Sequence, residues 1–206
     1  MRQRTKSITL LFLALFLANA RNALASSTWY VDAIHGSDSN NGATPASACK
    51  TIARAISYST LGDSIAVAAG TYKENLSIGF DLTIVGSNAW TTSIDGSHSD
   101  TVVGINSSSA RVNISQLTIT NGTGLTHGGG GICNVGTLTL NNVTVSGNSS
   151  NDSVTAVAGL GGGIYNAGTL TMFNSTVSGN SVIRYRPRGY SVGGWSLQYR
   201  EASYCQ

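Results

Sequence analysis

A 21-residue segment of this chain occurs twice, 32 residues apart. The first copy, Gly129 to Ser149, and the second, Gly161 to Ser181, are identical at 16 of 21 positions. Repetition at such a period specifies stacked units that bury their apolar faces against each other. Within each copy apolar and hydroxyl residues alternate, as in Leu138-Thr139-Leu140 and Val143-Thr144-Val145. That is the period-two pattern of a half-buried strand. The spacing predicts parallel stacking of Ile132 on Ile164, Leu138 on Leu170 and Val145 on Val177. It also predicts amide ladders joining Asn134 to Asn166 and Asn148 to Asn180. Three strand pieces per copy, around Ile132, Leu138 and Val143, would form a triangular rung. Ser150 to Leu160 would leave one corner as a loop.

Upstream, Trp29-Tyr30-Val31 reads as a strand, and Gly36-Ser37-Asp38-Ser39-Asn40-Asn41-Gly42 as a turn-rich loop. Cys49, Ile52, Ala53 and Ile56 fall at helical spacing, which predicts a helix over 47–58 started by Pro45 and Ser47. Its apolar face would cover the first rung. From Gly62 onwards short strands follow one another: Ile65–Val67, Leu76–Ile78, Leu82–Val85, Val112–Ile114 and Leu117–Thr120. The fold class is therefore an all-β parallel solenoid with an N-terminal helical cap.

The chain divides by composition. Residues 1–25 have a basic start (Arg2, Arg4, Lys6), an apolar run from Ile8 to Ala18 and Ala23-Leu24-Ala25 as a cleavage site, the pattern of a secretory signal peptide. Residues 26–60 hold the first strand, loop and capping helix, and 61–181 hold the rungs. Residues 182–206 are basic and aromatic, unlike anything before them. A third repeat would begin near 193. Shifting that stretch by one nucleotide permits Gly-Gly-Val-Tyr-Asn-Thr-Gly-Lys-Leu, so a reading-frame change is expected, with a longer repeat protein behind it. The mature chain has no apolar stretch long enough to span a bilayer.

The formal charge of +3 belongs to the two ends. Residues 26–181 carry four Lys or Arg against eight Asp or Glu. A mildly acidic body with no basic cluster argues against nucleic-acid binding. Cys49, Cys133 and Cys205 are an odd, scattered set, and a Cys49–Cys133 bridge is open without being indicated. The Asn-x-Ser/Thr triplets, such as Asn75-Leu76-Ser77 and Asn142-Val143-Thr144, count only if the source glycosylates exported proteins.

Trp29-Tyr30-Val31-Asp32-Ala33, the Gly36–Gly42 loop, Lys50-Thr51-Ile52-Ala53-Arg54-Ala55-Ile56 and Gly62–Leu76 together resemble the N-terminal part of right-handed parallel β-helix proteins of the pectate-lyase-like superfamily. The Gly-Gly-Gly-Ile-Tyr-Asn and Asn-Ser-Thr-Val-Ser-Gly-Asn copies resemble repeats of bacterial polymorphic outer-membrane-protein and adhesin-like surface proteins. The resemblance implies a right-handed coil. In some members it implies cleavage of acidic polysaccharides, and in many no known activity.

A lyase needs a cation to neutralise the substrate carboxylate and a base to take a proton. Ca²⁺ would be that cation, with Asp81, Asp95 and Asp100 as ligands and Lys73 or Arg111 as base. These acids are isolated in sequence, which favours turn-forming roles. Asp95 and Asp100 are also the nearest pair for a hydrolase, and read first as two sides of a turn. His35, His98 and His127 lack metal-ligand spacing. Asp32, Asp38 and Asn40 could share a weak Ca²⁺ but sit in a turn-rich loop. Gly128 to Gly131 lacks the ending of a phosphate loop. No catalytic, cofactor-binding or metal-binding residue is therefore assigned. The expectation is an exported, monomeric, non-catalytic protein of the cell surface or exterior that contacts polysaccharide or surface glycan. A polysaccharide lyase is the alternative.

Overall fold

The computed structural model describes residues 26–124, 128–151 and 161–183. The proposed signal peptide, His127, the body of the loop before Gly161 and residues 184–206 of the basic tail lie outside them, whereas Val182 and Ile183, expected in that tail, continue the last strand. The chain winds as a parallel β-solenoid in six coils. The first coil contributes the strand Thr28–Val31. The second holds Asp63–Val67, Gly70–Lys73 and Leu76–Ile78. The third holds Leu82–Gly86, Thr92–Asp95 and Val103–Ile105. The fourth holds Arg111–Thr120, Thr123–Gly124 and Ile132–Asn134. The fifth holds Thr137–Ser146, Ser149–Asn151 and Ile164–Asn166. The sixth holds Thr169–Phe173, Thr176–Ser178 and Ser181–Ile183. Every pairing between coils is parallel.

The predicted columns form. Ile132 pairs in register with Ile164, Leu138 with Leu170 and Val145 with Val177. Leu138, Leu140 and Val145 are fully buried because like side chains cover them above and below. In the sixth coil the equivalent inward residues Met172 and Val177 are 36% and 45% exposed. The amide ladders also form. Asn134 Nδ2 donates to Asn166 Oδ1 at 2.6 Å and Asn148 Nδ2 to Asn180 Oδ1 at 3.0 Å. Each satisfies buried backbone groups that the turning chain would otherwise orphan. Asn148, for example, also donates to the carbonyls of Ile119 and Ser146 and accepts from Gly122 N.

The corners are set by left-handed backbone. Gln116, Asn142 and Asn174 stack at one corner with φ of 57°, 53° and 47°. Gly147 and Gly179 stack at the next, at 67° and 62°, with Asn121 at 56°. Asn and Gly tolerate this region far better than β-branched residues. The kink at Asn142 falls inside one continuous strand, so the pieces around Leu138 and Val143 are two halves of Thr137–Ser146. The expected loop also begins later than Ser150: Ser149–Asn151 is a strand paired with Ser181–Ile183.

The N-terminal cap differs from the 47–58 helix. Pro45–Ser47 is a single 3₁₀ turn and the α-helix is Ile52–Tyr58, capped by the Thr51 side chain accepting from Arg54 N. Cys49 is extended: its N–H donates to Tyr30 O and its carbonyl accepts from Asp32 N. Ile52 and Ala55, rather than Ala53, are the buried helix residues. The helix packs on the first strands, and Glu74 clasps it by accepting from the N–H groups of Ile52 and Ala53, both at 2.8 Å. This exploits the unpaired donors and positive dipole end of a helix start.

Candidate functional site

Strand alternation points every second side chain outward, and parallel register stacks those side chains into columns along the solenoid axis. On the first half of the main sheet, one outward column runs Thr28, Ser64, Thr83, Asn113, Thr139, Thr171. All six are hydroxyl or amide residues. Two residues further along each strand, about 6.6 Å away, a second column runs Tyr30, Ala66, Val85, Ser115, Asn141, Phe173. An aromatic residue stands at each end of it. Five coil steps at about 4.8 Å separate them by roughly 24 Å. Phe173 is 55% exposed because it points outward, unlike its inward neighbour Met172.

The face beyond the Gln116–Asn142–Asn174 corner carries a second hydroxyl column: Thr71, Ser93, Thr118, Thr144, Thr176. Part of it is already engaged. Thr118 Oγ1 donates to Ala89 O at 2.7 Å, and Ser93 Oγ to Thr71 Oγ1 at 3.2 Å.

At the N-terminal end of the first face the second column, at Tyr30, Ala66 and Val85, borders a concavity of about 280 Å³. Ala66 and Ala68 are short, so the surface dips between Tyr30 and Asp32 of the first coil and Val85 and Ser87 of the third. Pro45 and Ala48 form one wall. Asp32 Oδ1 accepts from the N–H groups of Ile34 and His35, and Oδ2 faces His35 Nδ1 at 3.1 Å. The backbone donors, His35 first and Ile34 second, hold its carboxyl below the usual range.

The sequence-derived candidates are spread out. Asp81 accepts from Arg111 N at 2.7 Å, with the guanidinium 4.0 Å from its other oxygen. Lys73 and Asp95 are register partners on the second and third coils. Asp95 accepts from Ser97 N and Asn121 Nδ2, while Asp100 accepts from its neighbour Thr101 N. Asp95 and Asp100 are thus two sides of a turn, with Ser97 and His98 in the left-handed region between them. Asp38 is taken up by Lys50 N, Thr51 N and Thr51 Oγ1, and Asn40 donates to Ala48 O. Among the described residues no group of three His, Cys, Asp or Glu lies close enough to hold a metal ion. Gly130 N and Gly131 N donate to Gly161 O and Gly163 O of the next coil, so they form a corner rather than an anion cradle. Cys49 is a free, buried thiol, so it forms no bridge to Cys133.

Comparison with known families places one segment. Residues 34–90 match a family described as a protein of unknown function, DUF1565. Its members are typically parallel β-helix proteins, in agreement with the parallel sheets seen here. The match runs from the Ile34 turn through the second coil to Trp90 of the third. No curated protein matches the chain at a significant level.

The columns and the concavity escaped the sequence reading because each depends on residues about 20 to 36 positions apart. Only the two long repeat copies revealed their register in advance.

Proposed function

We propose that this protein is an exported solenoid that contacts glycan chains along its outer face without chemical turnover. The observation that carries this reading is the pair of adjacent columns from Thr28 to Thr171 and from Tyr30 to Phe173. Hydroxyl and amide groups can donate and accept towards sugar hydroxyls. Aromatic residues at the two ends offer amphipathic surfaces at low entropic cost. The array is straight because solenoid stacking holds it so, which reduces the ordering cost of binding an extended chain. Absence of a basic cluster on the face favours a neutral glycan over a polyanion.

The test is cosedimentation of the refolded mature chain with insoluble polysaccharides. Thr83→Val with Thr139→Val removes two hydroxyls at constant shape and should weaken retention several-fold. Thr144→Val on the other face should leave it unchanged. Equal retention of all three overturns the reading. Ultraviolet absorbance from unsaturated products with pectin or alginate and Ca²⁺ would replace it with the lyase. Mass measurement of the secreted protein checks export: cleavage after Ala25 is expected.

A further inference from the structure

Two of the most exposed apolar side chains in the described residues ride on turns that flank the chain segments of the same concavity, Ile34 two residues after Asp32 and Trp90 three after Ser87. Trp90 is 94% exposed and Ile34 is 72% exposed. Trp90 rides on a turn in which Asn88 Oδ1 accepts from Trp90 N and Asn88 O accepts from the N–H groups of Thr91 and Thr92. The Thr118 hydroxyl bond to Ala89 O pins that turn from the far side. Ile34 rides on the turn held by Asp32. The two turns converge on Gly70. Its N–H donates to Thr91 O at 2.8 Å, and a Cβ at Gly70 would lie 3.1 Å from Ala33 Cβ. Both exposed side chains therefore ride on hydrogen-bonded turns whose backbones meet at Gly70, rather than on long free loops.

The lining is mixed in a specific way. The floor is aliphatic: Ala66, Ala68 and Val85, with only the backbone of the inward-facing Val67 between them. The polar groups lie at its edges. Tyr30 lines the dip, and its hydroxyl has no hydrogen-bond partner among the described residues. Asp32 contributes a carboxylate. Ser87 Oγ donates to Val67 O and keeps its acceptor positions free. An apolar floor with a few edge donors and acceptors is the usual form of a small-molecule site. At about 280 Å³ this one is at the small end, below the roughly 300–1,000 Å³ that drug-sized ligands occupy. A pyranose ring has the matching anatomy: an apolar C–H face bounded by hydroxyls.

We infer that this concavity is a subsite for one neutral or amine-bearing hexose unit, the terminal sugar of a glycan lying along the outer columns. The inference rests on the glycan-contact reading and adds the place and the charge class of the sugar. The ring lies on Ala66 and Ala68, with its edge towards Tyr30 Oη and the Asp32 carboxylate. A uronic acid would bring its own carboxylate beside Asp32, and no Lys or Arg lines the dip to compensate. An amino sugar would instead gain a charge-assisted bond.

The experiment titrates the mature chain with methyl glycosides of a neutral hexose, an amino hexose and a uronic acid. Tryptophan fluorescence and chemical-shift changes report binding. Neutral and amino sugars should bind, and the uronide about 10-fold or more weakly, which corresponds to about 1.4 kcal/mol. Ala66→Phe fills the dip from the outer face, away from the core, and should abolish sugar binding at unchanged melting temperature. Tyr30→Phe should weaken binding about 3- to 10-fold. Ala66→Phe binding like the parent, or a uronide binding more tightly than the neutral sugar, overturns the subsite. If Ala66→Phe loses the soluble sugar while Thr83→Val with Thr139→Val loses polysaccharide, both readings stand. If the parent is retained on polysaccharide but binds no soluble sugar, the subsite falls and the face remains. Binding of neither removes both.

Discussion

Asn148 Nδ2 donates to Asn180 Oδ1 across one coil step, 3.0 Å away. The two residues are chemically equivalent, yet their surroundings are not. Asn148 is 1% exposed and also serves Ile119 O, Ser146 O and Gly122 N. Asn180 is half-buried, donating to Val145 O and accepting from Asn148 N and Nδ2. Replacing Asn148 by Ala leaves several buried backbone groups unpaired and should cost about 3 kcal/mol. Asn180→Ala should cost about 1 kcal/mol. Chemical denaturation of both variants checks the ranking. Hydrogen exchange should show the second loss confined to the sixth coil, since solenoid stability is summed between neighbours.

The Leu138–Leu170 column gives the same contrast in apolar terms. Leu138 is fully buried between coils four and six, whereas Leu170 is covered on one side. Leu138→Ala should destabilise by about 3 kcal/mol and Leu170→Ala by about 1 kcal/mol. Equal effects would mean that the sixth coil is covered in solution by something outside the described residues.

Asp63 should make stability pH-dependent. Its carboxylate, 2% exposed, accepts from Ser27 N, Trp29 Nε1, Thr60 N and Thr60 Oγ1. Burial pushes its pKa up, but the combined hydrogen bonds outweigh burial and leave it below 3.8. A lowered folded value means that the stabilisation is present above the unfolded pKa and lost as pH falls through the folded one. Asp63→Asn should flatten the decline of stability below about pH 4 and cost about 2 kcal/mol near neutrality. Melting temperatures across the acid range measure both effects.

Gly86 of coil three lies close against the Gln116 corner of coil four. A Cβ there would lie 2.3 Å from Gln116 O and 2.9 Å from Leu117 Cβ. Gly86→Ala must push the Gln116 corner outward and should cost about 2–3 kcal/mol. Because Val85 and Ser115 are column neighbours at that step, the same variant should also weaken polysaccharide retention.

How much of this was readable in advance depended on local regularity. The register of coils five and six was fully legible because Gly129–Ser149 and Gly161–Ser181 repeat almost residue for residue. The short strands Gly70–Lys73, Thr92–Asp95 and Val103–Ile105 were not anticipated. Only 19 residues separate Ile65 from Ile84, but 30 separate Ile84 from Ile114, so no period marks them. The Cys49–Ile56 spacing mimicked one helical face by coincidence, since Cys49 spends its backbone groups on Tyr30 and Asp32. The site was less legible still. Nothing local to Ala66 announces that Tyr30 will stand beside it.

Leu138 follows Val112 by 26 residues and precedes Leu170 by 32, yet both steps hold identical register. The six additional residues all enter between Ser150 and Gly161, where they leave the stacked strands untouched. This position can therefore host foreign peptide sequence without disturbing either neighbouring layer. An epitope grafted there would be displayed from a rigid rod at a fixed height along its axis.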